Sequence, residues 1–414
     1  MSVGCRRNAA VIGSLLLLCS LGFGAWVQVT SGTSADLYGV HFPEGTLVGY
    51  AVGSSPEGGS VVIKTTDGGT TWAPQTVANL NALYSVYFKD NMNGYAVGAA
   101  GTAIRTTNGG DTWTDMTVTG TDNLTRVQFP ENGQIGYIGL HPRAGRGKVL
   151  KTTDGGASWE EKTVGGLLNT SRSCGMATDN IGIVVGNGGF VSGTTNGFDS
   201  SAFQGPQTVA DLTAAAFSPD DPNTGYLIGN DTVEGVIRYT ADGGASLWQI
   251  VRHYPITTYY GVDVPTTNAA YVCGPDGRID RSVSATDFYR TTVPSGVTGA
   301  IYGLCFPVGE DTGYAVGAAG TILRTYDKGI PWIPGIEEGK APAITRAGIR
   351  VLSNPCRHGI ALESDAAVSV SVFDAAGRVV MSRAATRGLN FLPLPTGAYF
   401  VKAGGATARA VVTD

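Results

Sequence analysis

Gly94-Tyr-Ala-Val-Gly98, followed by Ile104-Arg-Thr-Thr-Asn-Gly-Gly-Asp-Thr-Trp113, is the stretch whose reading decides the fold. The first segment is small and almost wholly apolar between two glycines, which suits a strand covered on both faces. The second is a strand running into a tight turn. There a short Asn or Asp side chain accepts backbone N–H groups, Gly adopts positive φ, and Trp covers the hairpin base. The pair recurs as Gly49–Gly53 with Ile63–Trp72, as Gly136–Gly139 with Leu150–Trp159, and as Gly313–Gly317 with Leu323–Trp332. Gly225–Gly229 precedes a looser copy, Ile237–Trp248, while Gly182–Gly186 and Ala270–Gly274 carry the apolar strand alone.

A six-residue alternating strand precedes each pair, the period of a half-buried β-strand. These strands start at Leu37, Leu83, Leu124, Ser173, Leu212, Tyr259 and Ile301, so the copies are 39 to 49 residues apart. The segment opening at each Trp supplies a fourth strand. Seven four-stranded units of this length predict an all-β, seven-bladed β-propeller; a solenoid would use shorter or helical units. The ring must close to leave no long unpaired edge. Two segments offer themselves, Trp26-Val-Gln-Val-Thr30 and the strand opening at Trp332, and the sequence leaves the choice open.

Around this core the chain divides into residues 1–24, the propeller at 25–336, a linker at 337–343 and a C-terminal module at 344–414. The first part reads as a secretory signal, with Arg6 and Arg7 ahead of an apolar run from Ala9 to Leu21 and small residues at Gly22 and Gly24. The run is shorter than the roughly 20 residues a membrane span needs. Cleavage takes two of the 28 basic residues and leaves 26 against 33 acidic ones, a formal charge of −7. That balance argues against a nucleic-acid partner. The C-terminal module alternates through Val368–Val380 and Leu394–Lys402 and predicts a small immunoglobulin-like β-sandwich.

Cys174, Cys273, Cys305 and Cys356 lie in distant segments and make no disulfide framework. Cys273 and Cys305 fall in neighbouring repeats and could pair, although their apolar strands suit small buried thiols.

The turn carried by Asp67 with Trp72, Asn108 with Trp113, Asp154 with Trp159 and Asp242 with Trp248 is the Asp-box. With Gly-Tyr-Ala-Val-Gly ahead of it, residues 37–336 resemble the photosystem II stability/assembly factor family, related in architecture to sialidase-like Asp-box propellers. The resemblance implies a seven-bladed scaffold or assembly factor. Repeats four and six depart from it, since Thr195–Asp199 and Ala285–Phe288 lack the Gly-Gly and the Trp. Residues 344–414 look like the C-terminal sorting domain of type IX secretion substrates. This second resemblance implies passage across an outer membrane, with the secretion machinery as a partner and the cell surface or the medium as destination.

One box acid per blade is spread around a rim, so these residues are read as structural rather than as metal ligands or catalytic acids. Glycoside hydrolysis needs two carboxylates flanking one bond. On the inner strands Asp263 stands alone and Arg126 is isolated. His41, His141, His253 and His358 lie in different segments and give metal or triad chemistry nothing to build on. No catalytic residue, metal or cofactor is therefore expected. The concentrated basic loop, Arg143, Arg146 and Lys148 between the second and third strands of repeat three, is the candidate contact for an acidic protein or glycan. Lys64, Arg105, Lys151, Arg238 and Arg324 recur at one register of the third strand and are read as ties to a neighbouring blade. The reading is an exported, non-enzymatic binding or assembly module; an Asp-box glycoside hydrolase is the alternative.

Overall fold

The computed structural model describes residues 26–329 and 349–413, apart from short segments at 79–80, 119, 132, 143–145, 167–169, 201, 204–207, 232–233, 247, 252–257, 292, 327, 352–355, 358, 365–367, 375–377, 386–387, 395–396 and 404–405. The proposed signal segment, Trp332, the linker, Arg143, His253 and His358 lie outside the described residues.

Seven antiparallel four-stranded sheets make a β-propeller. Blades 1 to 6 are each built from four consecutive strands, from Asp36–His41 through Ala73–Pro74 in blade 1 to Gly261–Thr266 through Asp287–Arg290 in blade 6. Blade 7 takes Ile301–Val308, Thr312–Gly317 and Ile322–Thr325 from the end of the ring, and its outer strand, Val27–Val29, from the beginning. Val27 pairs with Arg324 and Val29 with Ile322. The N-terminal segment therefore closes the ring. Trp26, 1% exposed, stands edge-on to Phe306 of blade 7 at 6.0 Å and 80°, as Trp72 stands to Phe42 at 5.9 Å and 85°. Its indole also donates to Thr291 Oγ1 of blade 6 at 3.1 Å.

One contact repeats at the blade junctions. In six blades a tyrosine near the start of the second strand, preceded by glycine in all but blade 6, reaches into the next blade and donates its hydroxyl to a turn carbonyl there. Tyr50 bonds Gly109, Tyr95 Gly155, Tyr137 Asp179, Tyr226 Ala285, Tyr271 Lys328 and Tyr314 Gly68, at 2.5–3.2 Å. Four of these rings also lie against the phenylalanine that ends the next blade's inner strand. Tyr50 stacks on Phe88 at 3.5 Å, Tyr314 on Phe42 at 3.8 Å and Tyr271 on Phe306 at 4.0 Å, while Tyr95 tilts against Phe129 at 4.8 Å. Where a glycine precedes the tyrosine, the same packing requires it. A Cβ on Gly49, Gly94 or Gly313 would fall 2.3 Å from the ring of Phe42, Phe88 or Phe306. Third-strand cations reinforce the junction: Lys64 donates to Gly109 O, Arg324 to Gly68 O, and Lys151 pairs with Asp199 of blade 4. Arg281, in the motif-poor blade 6, pairs with Glu310 of blade 7 in the same manner.

The box turns hold themselves. Asp67 Oδ1 accepts the N–H groups of Thr70 and Thr71 and the Thr65 hydroxyl, and Oδ2 accepts the Thr71 hydroxyl. Asn108, Asp154 and Asp242 do the equivalent. Blade 4 keeps this turn despite its altered sequence, with Asn196 accepting from Thr194 and Ser200. Phe198 occupies the second glycine's place at φ 62. Left-handed backbone at a non-glycine residue costs about 1–2 kcal/mol. Burial of the ring, 3% exposed and edge-on to Tyr137 at 5.9 Å, offsets that cost where blade 4 has Met176 for the usual phenylalanine and no tryptophan.

Blade 4 also corrects the sequence reading. Its inner strand is Ser171–Met176 and pairs Ser171 with Gly186, so the copy starts at Ser171 rather than Ser173. The slip of two preserves the face of each residue, which is why alternation could not detect it. Cys174, Cys273 and Cys305 are free, buried thiols.

The C-terminal part forms two sheets, as the sandwich expectation requires. Ile349–Val351, Gly359–Ser364 and Gly388–Pro393 make one. Cys356–Arg357, Ala406–Thr413, Gly397–Ala403, Val368–Asp374 and Val379–Ala385 make the other. Val370, Val372, Ala385, Leu392, Leu394, Tyr399 and Val401 are buried among its described residues. No helix among the described residues is long and apolar enough to cross a membrane.

Replacing the closing indole tests the ring. Trp26→Ala is expected to cost about 3–5 kcal/mol in urea unfolding, as for other buried large-to-small changes. Trp332→Ala is expected to stay within about 0.5 kcal/mol of the parent. The reverse ranking would assign closure to the other segment.

Candidate functional site

The inner strands share a bulge at their second residue. Pairing jumps from Leu37 to Gly39, Leu83 to Ser85, Leu124 to Arg126, Ser171 to Ser173, Leu212 to Ala214 and Ile301 to Gly303. Tyr38, Tyr84, Thr125, Arg172, Thr213 and Tyr302 are thereby left out of the ladder. Tyr260 holds the same place just ahead of the blade 6 strand, its N–H bonded to Cys273 O at 2.9 Å. A bulge frees a side chain from the alternation of the sheet and re-aims it. In this propeller it does so at the end of the central axis where the inner strands begin.

Four of these seven residues are tyrosines from consecutive blades. Around the ring they run Tyr84, Tyr38, Tyr302, Tyr260, with centroids 5.7, 5.2 and 5.3 Å apart and rings inclined 68°, 54° and 61°. The glycine after three of the four tyrosines lets them come this close. A Cβ on Gly39 would meet Tyr84 O at 2.9 Å, one on Gly261 Tyr302 O at 2.8 Å, and one on Gly303 Tyr38 O at 2.6 Å. The other three members are tied to the frame. Thr125 donates to Gly139 O, Thr213 to Ile228 O and Tyr259 O, and Arg172 to Asn187 and Asp211. Burial, with Asp36 nearby, raises the Tyr38 and Tyr302 hydroxyls, so these two phenols stay protonated at neutral pH and can donate. The sequence reading assigned no role to these tyrosines. The available signal was Tyr-Gly at one register of repeats one, six and seven and Tyr-Ser in repeat two.

Deeper along the axis, Arg126 and Asp263 are not the isolated residues the sequence suggested. Arg126 reaches past blade 4 and donates to Ala215 O of blade 5 at 2.7 Å. Gly175 leaves room for it, since a Cβ there would lie 2.6 Å from the same carbonyl. The guanidinium acts electrostatically on His41, Cys174 and Asp263. Two of these partners are tied to the neighbouring blade: His41 Nδ1 accepts from Phe88 N at 3.2 Å, and Asp263 accepts from Phe306 N at 2.8 Å as well as from Val264 N of its own strand at 2.9 Å. Burial first, then Arg126, lowers His41 to about 4, and burial raises Asp263. These groups saturate the unpaired inner edges of the blades, so the cluster is a plug.

Of the proposed basic loop, Arg146 is exposed, and Lys148 pairs with Glu161 of its own blade at 3.0 Å. The box carboxylates are engaged by their own turns; hydrogen bonds from Thr71 and Thr65 hold Asp67 near 2, and Asp154 and Asp242 are lowered likewise. They remain ionised at neutral pH and cannot serve there as proton donors.

A closed seven-bladed ring, stapled at its junctions by box turns and lined at one mouth with aromatic side chains, defines the class: an Asp-box β-propeller. Residues 20–118 and 76–196 match the family model described as photosynthesis system II assembly factor YCF48, and the ring is similar to propellers of that kind. The structure of YCF48 bound to D1 peptide is 20% identical with a TM-score of 0.58, covering 74% of this chain and 98% of that one. YCF48 from Cyanidioschyzon merolae is 19% identical with a TM-score of 0.57, covering 73% and 98%. The WD40 β-propeller domain of Doa1 is 12% identical with a TM-score of 0.56, covering 76% and 100%. At these identities the likeness to solved structures establishes the propeller fold. No curated protein matches the chain.

The plug has a pH signature. A histidine whose folded value lies below its unfolded 6.5 adds stability above that pH and loses it as pH falls toward 4. The parent is expected to lose up to about 2 kcal/mol between pH 7.5 and 5 from this group. His41→Asn keeps an acceptor for Phe88 N–H and removes the titration, so urea unfolding at the two pH values should show a smaller loss. Asp263, raised in the fold, acts in the opposite direction in both proteins. An unchanged loss in the variant would place the titrating group elsewhere.

Proposed function

We propose that this protein is an exported, non-catalytic binding module that holds a segment of another protein against the tyrosine-lined mouth of the propeller. The carrying observation is the run of four tyrosines at the bulged position of adjacent blades. Contacts that hold the ring recur all round it, as the junction tyrosines do in six blades. A cluster confined to one side marks a face for something else, and tyrosine gives large contact area at low entropic cost. Two further points support the reading. A propeller of similar fold has been solved with a bound peptide. The inner-strand carboxylate Asp263 has both oxygens occupied by backbone N–H groups, which disfavours the hydrolase alternative.

Export rests on the signal-like residues 1–24 and on the resemblance of residues 344–414 to type IX sorting domains. The basic loop around Arg146, on the same face, adds a charged margin to the mouth.

A photo-crosslinking residue at position 302 should yield one discrete protein adduct at the cell surface or in the medium. The same residue at exposed position 289 on the outer strand of blade 6 should not. Equal labelling from both positions, or release of reducing ends from a glycan by the purified chain, would refute the reading. Mass spectrometry of the adduct also reports the termini; a retained segment 1–24 would refute export.

A further inference from the structure

The chemistry of the tyrosine arc narrows what it can hold. Successive rings are inclined by 54° to 68°, so each turns partly edge-on to its neighbour and none offers a flat, isolated face. Sugar platforms stack a pyranose flat on an open aromatic face, whereas inclined rings leave clefts into which a compact apolar ring can wedge. The arc carries four phenol hydroxyls, each a potential donor, on rings whose centroids lie 5.2 to 5.7 Å apart. An ordinary extended peptide brings both N–H and C=O groups to such a surface and needs acceptors as well as donors. A polyproline II segment brings carbonyls that have no internal partners and, at proline, no N–H at all. Its stiffness also lowers the entropy lost on docking.

Length and charge agree. The three separations trace roughly 16 Å of arc, which about five residues cover at about 3.1 Å each. Asp36 sits close enough to Tyr38 and Tyr302 to act on both electrostatically, while Arg172, across the mouth, is already paired with Asp211. Asp36 accepts the Ala319 N–H at 2.9 Å through Oδ1 and has no ion-pair partner among the described residues, so it gives the aromatic side a negative charge.

We propose that the segment held at this mouth is proline-rich, in the polyproline II conformation, and flanked by a basic residue that faces Asp36. This rests on the protein-binding reading above and names the ligand class for the same face. Tyr302 and Tyr38 form the central cleft, Tyr84 and Tyr260 the outer ones, and the phenols donate to the carbonyls of the docked segment.

The test uses the chain from residue 25 to 414 and calorimetric titration with four probes: a blocked peptide of one arginine and eight prolines, an uncharged blocked proline peptide of equal length, a glycine-serine peptide of the same length and charge as the first, and chitohexaose. The proline peptide should bind saturably and at least tenfold more tightly than the glycine-serine peptide. Tyr302→Ala should abolish binding. Tyr302→Phe, which keeps the ring and is sure of its packing, should weaken binding about fivefold through the lost hydrogen bond. Asp36→Asn should weaken the arginine-bearing peptide and leave an uncharged proline peptide unchanged. Equal binding of the two peptides, chitohexaose binding that the tyrosine changes remove, or proline-peptide binding indifferent to both tyrosine variants would overturn the proposal. A crosslinked protein partner at position 302 together with no proline-peptide binding overturns this inference alone. Loss of both overturns the protein-binding reading too.

Discussion

The contact on which the ring depends is the passage of a tyrosine across a junction in six of the seven blades, where its hydroxyl meets a turn carbonyl and, in four of them, its ring meets the next blade's phenylalanine. It joins two requirements that neither blade meets alone. The phenylalanine needs an apolar cover on its outer face, and the box turn needs a donor for a carbonyl turned away from its own sheet. A hydrogen bond of this kind contributes about 1 kcal/mol and an aromatic pair about as much. Repetition around the ring makes the sum comparable with a domain's net stability of about 5–15 kcal/mol. The glycines beside the tyrosine follow from the same contact, since Gly49, Gly94 and Gly313 leave the space in which the phenylalanine of their own blade lies.

Closure extends this logic to the chain ends. Blade 7 has three strands of its own, and the strand Val27–Val29 completes it, with Trp26 set against Phe306 as the internal tryptophans are set against their phenylalanines. Trp26 and the strand that follows it thus tie the last blade to the start of the ring, and the chain cannot open at its seam without exposing a buried indole. Blade 4 shows how far the repeat tolerates change: Phe198 fills from the turn the space that a tryptophan fills elsewhere, and accepts left-handed backbone to do so.

The axis divides into two zones with different physics. The interior is a plug in which Arg126, His41 and Asp263 satisfy strand edges facing one another across the centre. The mouth is a ring of bulged residues, some tied down and four not. Tertiary closure is what separates these roles, because plug and mouth residues alternate along the same short strands.

Much of this was present in the amino-acid order. The period of two, the Gly-Gly turns and the tryptophans report contacts within one blade, a few residues apart in the chain, and they determined strands, turns and the number of copies. The two-sheet C-terminal part was equally visible in its alternation. The tertiary structure alone decided which segment closes the ring, that the copy in blade 4 begins at Ser171, that Arg126 meets His41 and Asp263, and that Tyr84, Tyr38, Tyr302 and Tyr260 adjoin. Each of these joins residues 40 to nearly 300 positions apart, or turns on a bulge that shifts one side chain out of the alternation. Local pattern carries no record of such distances; they are set by the angle at which one wedge packs on the next.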